Sequence, residues 1–345
     1  MRIVALGGGH GLYATLTAMR YLTPDLTAVV TVADDGGSSG RLRSELGVIP
    51  PGDLRMAMAA LMAAPAALDE PARADGAPGG TADTRGPDGD TAGARAAHAL
   101  WAQTLQHRFG GYGALAGHPV GNLLLAGLTE VLGDPVAALD ELIRLFGVDG
   151  RVLPMSTEPL QIEADVSGLE SDPRISRCIR GQVAVATTPG KVRRVRLLPE
   201  YAPACPDAIG AIRDADLVVL GPGSWFSSVI PHVLVPEQLN ALRRTAARKM
   251  LVVNLAPEPG ETPGFSVERH LHVLHAHADT LRIDDVVVDE ASVPGGAERE
   301  HLVRAAGMFG ARLHVGDIAV PGRHVHDPAK VATLVKKVCE GESFL

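Results

Sequence analysis

The residues able to do chemistry sit at the ends of short apolar runs. Gly7-Gly8-Gly9-His10-Gly11-Leu12 follows one such run and opens a helical pattern. Backbone amides at a strand-to-helix turn can face an anion, and the helix dipole favours negative charge there. Gly9, Gly11 and Ala14 keep the G-x-G-x-x-A spacing of dinucleotide-binding loops. Asp34 ends the next strand, where a ribose-binding acid would sit. His10 either faces the ligand or stands in solvent. A second sharp turn, Gly221-Pro222-Gly223-Ser224, follows another apolar strand and adds a hydroxyl. In an open parallel sheet, ligands bind at that edge. Gly8, Gly9, His10, Gly11 and Leu12, with Gly221, Pro222, Gly223 and Ser224, are therefore the first candidate ligand contacts.

Other polar groups cluster at further turns. Asp34-Asp35-Gly36-Gly37-Ser38-Ser39-Gly40 offers two carboxylates and two hydroxyls to a ribose, a base edge or Mg²⁺. A plain polar loop is the alternative. Asp34 and Asp35 are the candidate metal pair, if there is one. Gly52-Asp53-Leu54-Arg55 starts a helix, with Asp53 as N-cap or ligand contact and Arg55 as a phosphate partner. Gly117-His118-Pro119-Val120-Gly121-Asn122 marks another helix start, where His118 and Asn122 could read a ligand. Asn254 ends a strand, and Phe265 on the following loop either stacks on a base or is an ordinary loop aromatic. His270, His272, His275 and His277 split between two sides of a helix and cannot share one metal. No strong Ser–His–Asp, Cys–His or HExxH arrangement is visible. The chemistry points to a binding protein, or to a transferase that works by positioning and a metal, rather than to covalent catalysis.

These groups need a scaffold. Strand 2–6, helix 11–21 and the β-branched strand 27–33 make a βαβ unit, hence parallel strands. A helix is expected over 52–64. Residues 66–96 are Ala, Gly, Asp, Pro and Thr, with Leu68 the one large apolar residue, and read as a disordered insertion without a fold role. Helices follow near 98–108, from Pro119 to about 132, and over 135–146. The strand-rich stretch 151–199, with strands at 160–166, 182–187 and 192–198, suggests an antiparallel flap or sheet extension. The α/β rhythm then returns, with strands at 216–220, 250–255, 283–288 and 311–315 and helices between and after them. The expected fold is one α/β domain over 1–345, Rossmann-like, with a mostly parallel sheet flanked by helices and a small antiparallel insertion.

Composition narrows the function. Aromatics are 3% of 345 residues, so aliphatic side chains and Ala must build the core. The net charge is −8, and the densest basic cluster, Lys191-Val192-Arg193-Arg194-Val195-Arg196, alternates with valines like a half-exposed strand. No nucleic-acid partner is expected. Cys178, Cys205 and Cys339 are scattered, which argues against a zinc site or disulfides and fits a reducing compartment. The apolar run 3–6 is too short for a signal core, and Gly221-Pro222-Gly223 and Pro231 break the longest uncharged run, so no membrane span is expected. A cytoplasmic location follows by elimination.

The ordered set GGGHGL, ADDGGSSGRLR, GDLR, GHPVGNLLLAGL, GPGSWFSSVIPHVLV and NLAPEPGET resembles the YvcK-like gluconeogenesis factor family, in its actinobacterial branch. That family is related to the CofD-like deazaflavin phospholactate transferases. The resemblance implies a Rossmann-like fold and a regulatory role rather than catalysis. It implies binding of UDP-sugars, notably UDP-N-acetylglucosamine, with no required cofactor beyond possible Mg²⁺. It also implies links to cell shape and peptidoglycan synthesis under gluconeogenic growth, and Ser/Thr kinases and cell-envelope proteins as partners; a homo-oligomer is expected. His10 stands where many members have Thr, Ala256-Pro257-Glu258 where MTQ is commoner, and Phe265 where a Tyr contacts the UDP-sugar. The alternatives are a Mg²⁺-dependent transferase moving phospholactate or enolpyruvate to a deazaflavin, and an NAD(P)-dependent oxidoreductase.

Overall fold

The computed structural model describes residues 1–63, 87–172, 174–258, 260–293 and 295–342. The chain runs β1 (Ile3–Gly7), α1 (Gly9–Met19), β2 (Leu26–Val30), α2 (Gly37–Leu46), α3 (Pro51–Met62), α4 (Pro87–Gln106), α5 (Val120–Leu132), α6 (Pro135–Phe146) and β3 (Arg151–Pro154). There follow β4 (Gln161–Ser167), β5 (Ser176–Arg180), α7 (Gln182–Ala186), β6 (Lys191–Leu198), α8 (Pro206–Asp214) and β7 (Leu217–Leu220). The last part holds α9 (Pro231–Leu234), α10 (Pro236–Arg244), β8 (Arg248–Val252), α11 (Val267–His277), β9 (Asp285–Asp289), α12 (Ala297–Gly307), β10 (Arg312–Gly316) and α13 (Pro328–Cys339). A π-helical turn, Trp225–Val229, follows β7.

Seven strands form one parallel sheet in the order β10-β9-β8-β7-β1-β2-β3. Both β1 and β7 are buried along their whole length, because helices cover both faces and unbroken apolar runs fit such strands. The chain adds β2 and β3 on one side of β1, then returns to add β7 through β10 on the other. The order therefore reverses between β1 and β7, whose register pairs Ile3 with Leu217 and Leu6 with Leu220. That reversal sets the loops leaving β1 and β7 side by side at the carboxyl ends of the strands, the edge at which open parallel sheets bind ligands. The expected Rossmann-like architecture is the observed one. A second, antiparallel sheet, β5-β4-β6, supplies the small insertion.

Several elements differ from the sequence reading. Residues 182–187, expected as a strand, form the short helix α7, because Asp35 accepts from the backbone amides of Gln182 and Val183, both at 3.0 Å, and fixes its first turn. The stretch 151–199 is not one piece, since β3 joins the main sheet beside β2. Strand β5 is exposed along most of its length and has no apolar alternation to announce it. Helix α2 rises from what looked like a polar loop and ends on Gly47 in the left-handed region, at φ 70°. Helix α4 begins at Pro87, inside the segment expected to be disordered. Ala at 92, 94, 96 and 97 forms helix well while giving no apolar stripe. The earlier part of that segment, 66–86, lies outside the described residues.

Among the described residues, no single helix is long and apolar enough to cross a membrane; only α5 and α6 together have the length and composition, and they bend by 120° at their junction.

Candidate functional site

The β1–α1 and β7 loops meet over a crevice. Gly9 has φ +55°, and a Cβ built on it would touch nothing within 4 Å, so this position faces open space. Gly11 is the opposite case. A Cβ there would overlap the Pro222 carbonyl oxygen and come within 2.5 Å of the Gly223 Cα, so the first turn of α1 lies directly on the second loop. Gly8 is pressed from below, where an added Cβ would stand 2.6 Å from the Asp53 carboxylate. The Thr15 hydroxyl donates to the Gly221 carbonyl at 2.9 Å and ties the loops together. Asn254, at the end of β8, clamps Gly223 by accepting from its N–H at 3.0 Å and donating to its carbonyl at 2.9 Å. The Ser224 hydroxyl donates to Glu258 at 2.9 Å.

The result is an open cleft of about 680 Å³. One wall is Gly8, Gly9, His10 and Gly11; the other is Pro222, Gly223, Ser224 and Asn254. Asp53 reaches the floor. Its carboxyl is pushed up to about 7, first by burial and then by the nearby charge of Asp34, against the opposing pull of the Gly9 amide and Arg55. Burial likewise raises Glu258, against the Ser224 hydroxyl. His326 at the rim is pushed down to about 4 by burial, so it is neutral at physiological pH, and its Nε2 has no partner. Beneath β1, buried His232 bonds the Gly7 carbonyl at 3.1 Å and Gln238 at 2.8 Å, holding the loop from behind. The cleft thus offers backbone amides, hydroxyls and carboxyls that burial biases toward the neutral form. Such a surface can take a diphosphate flanked by hydroxyl-bearing groups.

The remaining candidates divide. Leu12 is 1% exposed and packs on Gly7, so its part is to brace the turn. Asp53 is not an N-cap: that place belongs to Pro50, and Asp53 lies in the first turn of α3. Asp34 closes a local turn by accepting from Gly36 N at 2.9 Å, while Asp35 is committed to α7. The two carboxylates diverge, and among the described residues no three His, Cys, Asp or Glu side chains are gathered as a metal cage. Ser39 is buried behind Gly52. Ser38, Arg55, His118 and Asn122 come together, but not on the cleft. Phe265 is also elsewhere. It stands edge-on to Phe226 and His270, at 6.1 and 5.3 Å between centroids, under the Arg269 guanidinium. Its ring is used in packing, and among the described residues no Phe, Tyr or Trp lines the cleft.

Sequence reasoning missed Gln182, Ser228, Glu258, His324 and His326, which also line the cleft. The histidines lie on the loop after β10. A rule applied to every parallel strand end, instead of only to glycine-rich ones, points to that loop.

Known proteins agree with this architecture. The sequence profile of 2-phospho-L-lactate transferase CofD matches residues 3–308. The "Putative gluconeogenesis factor" of Mycobacterium tuberculosis (strain ATCC 25618 / H37Rv) is 63% identical over 337 residues, covering 98% of this chain and 90% of that protein. The "Gluconeogenesis factor" of Bacillus subtilis (strain 168) is 32% identical over 305 residues, covering 88% and 84%. A crystal structure of a UPF0052-family protein from Bacillus halodurans matches with TM-score 0.76 at 30% identity, covering 97% of this chain and 98% of that one. The chain belongs to the CofD-like family and, within it, to the actinobacterial branch of the gluconeogenesis factors.

Proposed function

We propose that the protein is a nucleotide-sugar-binding regulator that holds UDP-N-acetylglucosamine, or a close relative, in the cleft between its two glycine loops. The observation that carries this reading is the contact of Gly11 with Pro222 and Gly223 at the reversal of strand order, with Gly9 left facing open space. The diphosphate would lie against the amides at the start of α1. Asn254, Glu258 and Gln182 would accept from or donate to sugar and ribose hydroxyls. Binding by such groups needs no resident cofactor; a Mg²⁺ would arrive with the diphosphate, since Asp34 and Asp35 are engaged elsewhere. Differential affinity for two arrangements of the loops is sufficient for regulation. The process regulated would be cell-envelope synthesis and cell shape under gluconeogenic growth, in the cytoplasm, with a Ser/Thr kinase and envelope-synthesis proteins as partners.

One observation favours a second reading. The Asp53 carboxyl, with its proton held near pH 7, suits a general base. A CofD-like transfer to a deazaflavin would use it. The test is calorimetry with UDP-N-acetylglucosamine, followed by prolonged incubation with Mg²⁺ and mass spectrometry. The regulator reading expects binding without consumption. Steady release of UDP that disappears in Asp53→Asn would overturn it. Turnover only with a deazaflavin and a phospholactyl nucleotide would establish the transferase.

A further inference from the structure

The antiparallel sheet β5-β4-β6 has two edges that differ in what covers them. On the β6 side the Val195 N–H donates to His277 Nε2 of α11 at 3.1 Å, so that edge is engaged. On the other side β5 pairs only with β4, in a register that sets Glu163 against Arg180, Asp165 against Cys178 and Ser167 against Ser176. Among the described residues, the main chain of β5 has no other partner. In an antiparallel pair alternate residues turn their N–H and C=O groups away from the neighbouring strand, so β5 presents an open row of donors and acceptors. Ile175 and Val183, both exposed, stand at the two ends of the row. Behind it, Ile162, Ala164 and Val166 of β4 and Val195 and Leu197 of β6 are buried in the core, so the template is preformed. The sheet is also basic. Residues 174–198 hold seven Arg or Lys and no Asp or Glu, in a chain of net charge −8. The face that carries Glu163 and Asp165 also carries Arg180, Arg194 and Arg196 by register, and Arg193 reaches it to donate to the Ser167 hydroxyl at 2.7 Å. Glu163 pairs with Arg180 and Arg196, and Asp165 with Arg196. Among the described residues, Lys191, Arg193 and Arg194 have no carboxylate ion pair, so the face keeps a positive surplus.

We propose that β5 is a docking edge on which a partner protein adds an extended acidic segment as a further strand of this sheet. Main-chain hydrogen bonds to β5 supply affinity, and the basic surplus selects carboxylates at alternate positions of the added strand. Charge also selects against the other occupants of an open edge. Two copies of this chain laid β5 to β5 set Arg177 and Arg180 against the same residues, a like-charge arrangement that discourages self-pairing. A nucleic acid gains from the positive charge but not from the open main chain, and it meets Glu163 and Asp165 within the face. The edge also has a direct connection to the cleft. From Arg180 the chain passes through Gly181 to Gln182, which lines the cleft and whose N–H donates to Asp35 at 3.0 Å. Strand addition therefore acts on a segment that ends at the ligand. This link rests on the nucleotide-sugar reading; the docking edge does not.

The probe is a short, end-blocked peptide that alternates Glu and Val, titrated into the full chain without nucleotide sugar while amide hydrogen exchange is read across 176–180. It should bind, and exchange at the outward amides of β5 should slow by about tenfold or more. The same peptide N-methylated at alternate residues keeps its charge but loses its ladder donors, and should bind about tenfold more weakly. A Lys-Val peptide and a single-stranded oligonucleotide should likewise bind about tenfold more weakly than the Glu-Val peptide. The double variant Arg177→Glu, Arg194→Glu, at two exposed positions, should weaken the Glu-Val peptide by about tenfold with its thermal melt nearly unchanged. No protection of β5 at millimolar peptide overturns the proposal. So does equal binding of the N-methylated peptide, which makes the contact one of charge alone, or tighter binding of the oligonucleotide, which makes the face a nucleic-acid surface. None of these arms bears on the cleft. With saturating UDP-N-acetylglucosamine, its binding verified by calorimetry, the peptide affinity should change by about threefold or more. An unchanged affinity overturns the link to the cleft.

Discussion

Helix α3 separates two polar regions of opposite character. On one side Asp53 faces the cleft, with Asp34 near enough to raise its pKa. On the other, Arg55 lies over Asn122, its pKa lowered to about 10 first by burial and then by Arg108, against the opposing pull of Asp53 and Asp34. Two residues along a helix is a rotation of roughly 200°, so the two head groups of GDLR find different partners, although their charges still act on each other. The difference teaches that neighbours in one short motif can be given different tasks: Asp53 lines the cleft, and Arg55 braces the turn at 117–122. It also shows how each region is held. Close backbone contact of Gly11 with Pro222 and Gly223 shapes the cleft and side-chain bonds from Thr15 and Asn254 hold it, whereas the arginine region rests on side-chain hydrogen bonds among Ser38, His118, Asn122 and Arg55.

If that contrast is right, glycine substitutions break the cleft most severely. Gly11→Val should lower the melting temperature by several degrees and abolish nucleotide-sugar binding, because the new side chain has to displace the main chain of the second loop. Gly9→Val should remain folded, at a cost of about 1–3 kcal/mol for a branched residue at positive φ, and should still lose binding, since its side chain enters the cleft. Thermal melts with calorimetry on both variants distinguish the two roles. Equal stability for Gly11→Val and the wild type would mean that the loops are not in contact.

Asn254→Ala comes next. It removes both hydrogen bonds to Gly223, and a loss of about 1–3 kcal/mol in binding is expected if the loop must be held for the ligand. Unchanged affinity would mean that the loop is rigid without its clamp.

Acidity sharpens the comparison further. Asp53 has a folded pKa of about 7 against an ordinary 3.8. The folded protein therefore holds this proton more tightly than the unfolded chain, so Asp53 adds stability at low pH that is lost as pH rises toward 7. An anionic diphosphate beside it should also bind more weakly as Asp53 ionises, by roughly threefold to tenfold between about pH 6 and 8. Asp53→Asn should flatten both dependences. A pH profile that is the same in the variant would assign the effect to another group.

The smallest effect on affinity is expected for Asp35→Ala. Its carboxylate caps α7, so the variant should lose about 1 kcal/mol of stability while binding changes little beyond what the slackened Gln182 contributes. A large loss of affinity at unchanged stability would return Asp35 to the ligand.

Much of this protein is legible in its sequence. The buried strands β1 and β7 announce themselves as apolar runs that lead into glycines, and the last helix, Pro328–Cys339, is signalled by Asp327, Pro328 and an apolar stripe. The glycine loops are legible because positive φ and close approach restrict those positions so strongly. What the tertiary structure decided is which turns share a site. Gly11 and Gly223 are distant in the chain, and only the strand order brings them together. His118 and Asn122 look like ligand readers at a helix start, yet the packing of α5 on α3 turns them to Arg55 and away from the cleft. Residues 182–187 alternate like a strand, and a carboxylate from Asp35 makes them a helix. Local pattern fixes which backbone states are accessible; the choice among them, and the partner that each polar group finds, rests on contacts between residues far apart in the chain.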